Sequence, residues 1–375
     1  MGEDPEPARG KIARRCRAQA AGCAALGSVL YGHLLAAAAD DVDRGGPVWD
    51  LLAPHAADPA GSALGLRLMG ATHRLALSGF APDLAAHYPS TGGDGDVAAA
   101  WDAWYALVRD QPGAVASHLT RAVQTNEVGR VAALLGGFLA VARSTRLPLR
   151  VLEVGSSAGL NLRWDQFRVR CGPVVWGPAR SPVDLGDPFE GGLAPTLSPA
   201  EVAVVERRGC DVNPLDPTTE EGSLTLLSFV WPDQAGRFAN LAAACDVARA
   251  VPATVDHASG DEWLAEQLSE PRSGLATIVF HSIMLQYMTP EVRARFLATI
   301  EVAGTRASAR PRADAPLAWL HLEPRDTLAS DMVVRLTQWP GNGGGPRAQR
   351  LLATAHPHGV WVRWEDRGEA EEFAE

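Results

Sequence analysis

Lysine is almost absent from this chain of 375 residues: Lys11 is the only one, and arginine supplies the rest of the 34 lysine and arginine residues. A Schiff-base lysine in the body of the chain and a Gly-Lys-Ser/Thr phosphate loop are therefore excluded. Acidic residues number 44, so the formal net charge is −10. Because nucleic-acid binding needs a local basic patch and none stands out, we expect no nucleic acid among the partners.

Cysteines are few and form no motif. The five lie at positions 16, 23, 171, 210 and 245, and none belongs to a Cys-x-x-Cys pair. Neither a disulfide framework nor a structural zinc site is expected, and a reducing cytoplasm fits best. The alanine-rich N-terminal stretch has amphipathic helix spacing rather than the pattern of a signal peptide, and the longest later uncharged apolar run, residues 131–142, is far shorter than a membrane span of ~20 residues. We predict a cytoplasmic protein with no membrane partner.

The pattern of the chain changes near residue 149. Before it the apolar spacing is helical, and helices are expected over residues 9–40, 63–78, 96–109, 112–123 and 126–145. After it short apolar runs alternate with helical stretches, which is typical of βαβ units and a largely parallel sheet. Strands are expected over residues 149–154, 202–212, 253–257, 277–282, 316–323, 332–339, 350–355 and 360–364.

These elements predict an α/β fold in two parts. Residues 1–125 form an all-helical N-terminal region. Residues 126–375 form a Rossmann-like domain with a mostly parallel sheet, antiparallel C-terminal strands and a Pro/Gly-rich insertion near 169–199. A helix is expected to begin at Ala158, directly after the first strand.

The turn after the first strand is the most informative segment. It reads Glu153-Val154-Gly155-Ser156-Ser157-Ala158-Gly159-Leu160-Asn161, and its small side chains let a ligand approach the backbone. It resembles the first motif of class I S-adenosylmethionine-dependent methyltransferases, Asp/Glu-x-Gly-x-Gly-x-Gly, with Ser157 replacing the middle glycine. The resemblance implies that Glu153, Gly155, Ser157, Gly159 and Asn161 bind S-adenosylmethionine. A tight strand–helix connection without a ligand is the alternative.

Two other ligand sites compete for the same turn. A dinucleotide site needs a glycine where Ser157 stands, so binding of NAD is weakened. Gly-x-Ser-x-Gly is also the nucleophile elbow of α/β-hydrolases, with Ser157 as nucleophile and Glu323 and His356 following in the required order. The hydrolase fold places strands before its elbow, whereas only helices are expected here, so the methyltransferase-like interpretation is preferred. A non-catalytic binding protein on the same fold is the third hypothesis.

Later strands supply candidates for the rest of the site, because strand carboxyl ends line the ligand crevice of open α/β sheets. The methyltransferase resemblance implies Asp211 for the ribose hydroxyls and Asp261 for the adenine. His281 is a candidate general base. The alternatives are an Asx turn at Asp211, a helix N-cap at Asp261 and a hydrogen-bonded core histidine at His281. Trp231 and Tyr287 are candidate substrate contacts, although buried tryptophans mostly serve packing.

Five segments together resemble an uncharacterised bacterial family, domain of unknown function 2332: QTNEVGR (124–130), EVGSSAGLNL (153–162), GCDVNPLDP (209–217), WPDQ (231–234) and AHPHG (355–359). The likeness spans nearly the whole chain and implies one architecture for both parts, but it transfers no activity. Asn126 and Arg130 are expected on the helix before the first strand, where they either reach the crevice as substrate contacts or cap and solvate the helix.

These observations lead to one working hypothesis. The chain is expected to be a methyltransferase-like enzyme that uses S-adenosylmethionine to modify a small molecule. His356 and His358 have no partnering cysteine or carboxylate at ligand spacing, so no metal is expected. The oligomeric state is left open.

Overall fold

The computed structural model describes residues 5–191, 201–311, 314–326, 331–341 and 349–365. The helices are α1 (Pro5–Ala25), α2 (Val29–Arg44), α3 (Pro47–Leu52), α4 (Leu64–Leu77), α5 (Pro82–Ala85), α6 (Val97–Asp110), α7 (Pro112–Leu119), α8 (Arg130–Thr145), α9 (Glu220–Ser228), α10 (Ala235–Ala250), α11 (Gly260–Gln267) and α12 (Pro290–Ser308). The strands are β1 (Leu149–Val154), β2 (Val169–Cys171), β3 (Val174–Trp176), β4 (Phe189–Glu190), β5 (Val204–Asp211), β6 (Thr254–His257), β7 (Ala276–Ser282), β8 (Leu317–Pro324), β9 (Met332–Trp339), β10 (Arg350–Ala355) and β11 (Val362–Trp364).

The chain divides into two compact units. One comprises Met1–Thr125 with Thr219–Ala242, and the other comprises Asn126–Thr218 with Ala243–Glu375. The sequence had placed residues 219–242 in the Rossmann-like part, whereas they group with the N-terminal helices. The apolar run at 224–230 fits a strand and a helix equally well by composition, and it lies largely within α9.

The helical unit breaks the long N-terminal helix that the sequence predicted over residues 9–40. Gly27 has φ +89°, and Ser28 caps α2 by accepting a hydrogen bond from the backbone N–H of Tyr31. The Asp233 carboxylate then accepts from the Ser28 hydroxyl at 2.7 Å and from the Leu30 N–H at 3.0 Å. A helix break that leaves no orphaned donor costs little, so α1 and α2 can pack as a hairpin around one core.

The other unit is built on a nine-stranded sheet in the order β4-β11-β10-β9-β8-β7-β1-β5-β6. The neighbours β6, β5, β1, β7 and β8 are mutually parallel, and β9, β10 and β11 follow as an antiparallel meander. Numbered by appearance, the parallel strands lie 3-2-1-4-5, which is the Rossmann order. The predicted fold class, a mostly parallel Rossmann-like sheet with antiparallel C-terminal strands, is confirmed.

Helices cover both faces of this sheet. On one face Phe138 of α8 contacts Phe280 edge-to-face, and Gly137 of α8 lies against Leu320. On the other face Phe296 of α12 contacts the ring of His281. Since both faces are covered, all six residues of β1 are buried, as its near-continuous apolar sequence indicates.

The order of the strands also locates the expected site. Connections from β1 lead to β5 on one side, while β7 lies on the other, so the switch point is between β1 and β7. Ligands of open α/β sheets bind outside the strand carboxyl ends at such a point. None of the helices in the described part of the chain is long and apolar enough to span a membrane.

Candidate functional site

The turn after β1 has the sharp backbone that its small residues allow. Gly155 and Gly159 have φ +71° and +67°, and Ser157 has φ +54°, a conformation that side chains rarely adopt. A Cβ on Gly155 would lie 2.4 Å from Met284 Cγ, and one on Gly159 would lie 2.6 Å from Val255 Cγ2. Both glycines are therefore required by the fold as well as by any ligand.

The helix that the sequence placed after Ala158 is a short 3-10 helix, Leu160–Gln166. Five of the six backbone N–H groups from Gly155 to Leu160 donate to acceptors of the protein itself: Gly155 and Ser156 to the Cys210 carbonyl at 2.9 and 3.0 Å, Ser157 to Asp211 Oδ2 at 2.8 Å, Gly159 to the Ser156 carbonyl at 2.7 Å, and Leu160 to Asn126 Oδ1 at 2.8 Å. The turn is thus not a cradle of free amides of the kind that binds phosphate.

Glu153 is the penultimate residue of β1 and lies on the face that α8 covers. It is 2% exposed, and its Oε2 has no hydrogen-bond partner in the described chain. The Oδ1 atom of Asn161 is likewise buried without a partner, while its Nδ2 donates to the Glu127 carbonyl at 3.4 Å. Burial raises the pKa of Glu153 well above its usual range and the charge of Asp211 adds to this, while Arg163, Arg130 and the Asn161 amide oppose it. The side chains of Glu153 and Asn161 thus each keep one buried oxygen without a protein partner in the described chain.

Asp211 and Asp261 are both held by protein groups. Asp211 Oδ1 accepts from the Asn213 N–H at 2.8 Å, which is the Asx turn stated as the alternative, while its Oδ2 anchors Ser157. Asp261 accepts from the Ser259 hydroxyl and from Arg295 Nε at 2.7 Å, and the N-cap of α11 is Ser259 rather than Asp261. Burial raises the pKa of Asp261, but these two bonds outweigh it and hold that pKa below its usual range.

His281 is fully buried, and both of its ring nitrogens have protein partners. The Trp319 indole donates to Nε2 at 3.1 Å, and an indole can only donate, so the proton lies on Nδ1. That Nδ1–H donates to Glu323 Oε1 at 2.7 Å. Since the basic lone pair of His281 is already used, the geometry favours the structural alternative over a general base.

Glu323 collects three hydrogen bonds on one oxygen. Besides His281, the backbone N–H groups of Met284 and Leu285 donate to Oε1 at 2.9 and 3.3 Å. Burial raises the pKa of Glu323, but the bonds from His281 and the two amides outweigh it and lower that pKa overall. Glu323 is thus bonded to His281, not to His356, the partner that a Ser157 triad requires.

The segment before α8 differs from the expectation. The helix begins at Arg130, so Asn126 precedes it and does not share a helical face with Arg130. A contact distant in sequence accompanies this difference: Asn126 Oδ1 accepts from the Leu160 N–H of the glycine turn. Arg130 Nε donates to the Pro357 carbonyl at 2.9 Å, and its Nη1 donates to the Ser282 carbonyl and hydroxyl at 3.2 and 3.3 Å.

The two histidines of the AHPHG segment lie in the turn between β10 and β11, against the start of α8. A Cβ on Gly129 would lie 2.2 Å from the His358 carbonyl, and one on Gly359 would lie 2.0 Å from the Gly129 carbonyl. Among the described residues no group of three or more His, Cys, Asp or Glu side chains could hold a metal ion. The turn therefore serves close packing at the carboxyl end of β7.

Two substrate candidates have contrasting places. Tyr287, in the 3-10 helix after β7, is 77% exposed. Trp231 is buried in the core of the helical unit, where its ring lies 6.4 Å from Tyr31. The apolar run before Trp231 lies largely within α9 and Trp231 packs in the helical core, which is the packing role stated as its alternative.

Sequence reasoning missed two residues at this edge. Arg163 is buried and donates to the Gly159 and Val251 carbonyls, both at 2.7 Å, and burial with the nearby charge of Arg207 lowers its pKa to about 10. Ile283, directly after β7, has φ +53°. An arginine one turn after a glycine motif is a signal that sequence can show, but a strained isoleucine leaves none.

Four of the five family-like segments meet at the carboxyl ends of β1, β5 and β7, through the contacts of Asn126, the glycine turn, Asp211 and Arg130. Comparisons with curated proteins and with solved structures find no match. A family model described as "Uncharacterized protein conserved in bacteria (DUF2332)" matches residues 13–364. Because this match covers most of the chain, the protein belongs to that DUF2332 family.

Proposed function

We propose that this protein binds S-adenosylmethionine at the carboxyl ends of β1, β5 and β6 and transfers its methyl group to a small molecule. The observation that carries the proposal is the use of the turn's N–H groups by Cys210, Asp211 and Asn126. A nucleotide diphosphate needs such groups free. A nucleoside cofactor without phosphates does not.

The charges at this edge support the same ligand class. The carboxylates of Asp211 and Asp261 lie at this edge, the first bonded into the turn and the second buried and paired with Arg295, while burial raises the pKa of Glu153 and favours its neutral form. A concentration of acidic groups repels phosphate and attracts a cation. S-adenosylmethionine carries positive sulfonium and ammonium groups and no phosphate, so its charge fits these donors and acceptors.

Two buried oxygen atoms could accept hydrogen bonds from the cofactor. Glu153 Oε2 and Asn161 Oδ1 are buried without partners, and buried polar atoms in proteins are nearly always paired. Hydroxyl or ammonium donors of the bound cofactor would satisfy them. When bound, the cofactor supplies an electrophilic methyl group.

The chain's own residues would then orient the two reactants and exclude water. Methyl transfer is an in-line attack that depends mainly on positioning. A strong protein base is not required, which is compatible with the occupied nitrogens of His281. Tyr287, exposed beside the switch point, is the residue we assign to substrate contact.

A serine hydrolase is the second candidate, because Ser157 has the positive φ of +54° that a strained nucleophile elbow shows. Against it, no strand precedes β1 in residues 5–148, and Glu323 bonds His281. Labelling by a fluorophosphonate probe, with Ser157→Ala as control, separates the two. Labelling that depends on Ser157 would establish the hydrolase and refute the methyltransferase-like proposal.

The proposal is tested by calorimetric titration of the full chain with S-adenosylmethionine and S-adenosylhomocysteine. Micromolar binding is expected for wild type, and it should be lost in Gly155→Arg, whose side chain would collide with Met284. The matched control is Gly186→Arg, where φ is +72° and no atom lies within 4 Å of a Cβ. Absence of wild-type binding at millimolar ligand would refute the proposal.

A further inference from the structure

Several buried polar side chains lie on the face of the sheet under α12, away from the glycine turn. One of them, Glu323, accepts hydrogen bonds from the segment that follows the carboxyl end of β7. Trp319, His281 and Glu323 form a chain of hydrogen bonds that ends on the backbone of Met284 and Leu285. This chain of groups, from Trp319 to Glu323, is called the relay below. All of its members lie on β7 and β8.

The segment that the relay holds is strained. Ile283 has φ +53°, which is a rare conformation for a β-branched residue and costs about 1–3 kcal/mol unless its surroundings enforce it. Its N–H donates to the Leu322 carbonyl at 2.8 Å, and the next two N–H groups donate to Glu323. Three successive backbone donors are thus fixed by β8, which holds the turn in this shape.

The turn at Ile283 and Met284 lies against the glycine turn that follows β1. Met284 Cγ lies 2.4 Å from the position of a Cβ on Gly155, so the methionine side chain packs directly on the backbone there. Tyr287 follows three residues later and is 77% exposed. A change in the backbone at Met284 therefore moves both the cover of Gly155 and the exposed tyrosine.

We propose that Glu323 is a positioning residue: through the Met284 and Leu285 backbone it fixes the strained turn at Ile283 and so sets the ligand affinity of the glycine turn. The ligand part of this inference rests on the proposed function. The inference gives His281 a role as well, because its Nδ1–H orients the Glu323 carboxylate while Trp319 fixes its tautomer. Neither residue needs to touch the ligand.

A neighbouring residue supplies the matched control. His321 is buried on the same face and stacks on His281 at 5.3 Å, but neither of its ring nitrogens has a hydrogen-bond partner among the described residues. Replacing it by leucine changes the same packing layer without removing a bond of the relay. A purely structural role for the layer predicts similar effects for changes at His321 and at Glu323.

The experiment is hydrogen–deuterium exchange of the full chain, read on peptides that cover residues 283–288, together with S-adenosylhomocysteine titration. Glu323→Leu removes the acceptor, and exchange there is expected to become about tenfold faster or more, with about tenfold weaker binding. Glu323→Gln keeps a carbonyl acceptor in place and is expected to rescue most of both. His321→Leu is expected to match wild type.

Wild-type exchange in Glu323→Leu, or equal changes in Glu323→Leu and His321→Leu, would overturn the inference. If Glu323→Leu does not fold, Glu323→Gln decides, because a neutral oxygen accepts weaker bonds than a carboxylate and about threefold faster exchange is expected. If wild type binds no S-adenosylhomocysteine, the proposed function fails, and the exchange result alone still decides whether Glu323 positions the turn.

Discussion

Two charged residues of β1, three positions apart, are equally buried and are treated in opposite ways. Arg150 is 2% exposed and donates to Glu206 at 2.8 Å, to the Gln267 carbonyl at 3.0 Å and to Gln267 Oε1 at 2.9 Å. Glu153 is also 2% exposed, but one of its oxygens has no partner in the described chain. All three nitrogens of the Arg150 guanidinium group are bonded within the protein, whereas one oxygen of Glu153 has no partner among the described residues.

The difference follows from the fold. Residues of a strand alternate between faces, so Arg150 lies under α11, whose Gln267 meets it. Glu153 lies on the opposite face, near the carboxyl end of β1 and under α8, beside the switch point. If Glu153 is part of the proposed ligand site, stability and function are separated along a single strand of six residues. The predictions below test that separation.

The largest effect is expected from Arg150→Leu. It leaves Glu206 and the Gln267 side chain without their partner at the closed end of β1. Glu206 is partly exposed, but Arg150 is buried and loses all three of its hydrogen bonds, so a cost of about 3–5 kcal/mol of unfolding free energy is expected, to be measured by urea unfolding. A loss below about 1 kcal/mol would show that this end is not the stabilising one.

The next effect is expected from Gly155→Ala. The positive φ and the overlap with Met284 together should cost about 2–4 kcal/mol in urea unfolding. Gly186→Ala has nearly the same φ, +72° against +71°, but open space around its Cβ, so about 1 kcal/mol is expected. Equal costs for the two variants would mean that Met284 does not cover the turn.

A pH-dependent effect of intermediate size is expected from Glu153→Gln. Because burial raises the pKa of Glu153 in the folded state, that state binds the proton more tightly than the unfolded chain does. The stabilisation that this proton gives the folded state is fully present below the pKa of Glu153 in the unfolded chain. It is lost as pH rises towards the pKa of Glu153 in the folded state.

The glutamine side chain that this change introduces does not titrate. The stability of Glu153→Gln relative to wild type should therefore rise above pH ~4.5, by at most about 1.4 kcal/mol per pH unit. Unfolding in urea at several pH values measures this. A constant difference between the two proteins from pH 4 to 8 would contradict the raised pKa.

The smallest effect is expected from His321→Leu. Burial lowers the pKa of His321 well below its usual range, so the ring is neutral, and it makes no hydrogen bond in the described chain. Removing an unsatisfied buried polar group offsets the lost stacking, and the change in unfolding free energy should stay within about 1 kcal/mol. A loss above about 3 kcal/mol would reveal a partner for His321.

Much of the parallel sheet could be predicted from the sequence. β1, β5, β6, β7 and β8 fall within two residues of their expected bounds, because β1, β7 and β8 are buried apolar runs and the partly buried β5 and β6 are short runs between turn residues. The 3-10 helix after the glycine turn could not be predicted, because it depends on Asn126 capping Leu160 from 34 positions away. Local propensity carries no information on such a contact.

The sequence predicts where the candidate site lies, but it does not predict which role each of its residues has. Glu153, Asp211 and the glycines are recognisable because a ligand turn needs small residues after a buried strand. The pairing of Glu323 with His281 could not be foreseen, since it depends on the register of β7 against β8, where residue 281 lies opposite His321. Chain order alone instead suggested His356 as the partner of Glu323, in the order of a serine-hydrolase triad.

Calorimetric titration of the wild-type protein with two adenosine ligands, S-adenosylhomocysteine and ADP, distinguishes a nucleoside site from a diphosphate site. The account predicts micromolar binding of S-adenosylhomocysteine and no binding of ADP, because the N–H groups that would hold a diphosphate are bonded to Cys210, Asp211 and Asn126. Tighter binding of ADP than of S-adenosylhomocysteine would contradict it.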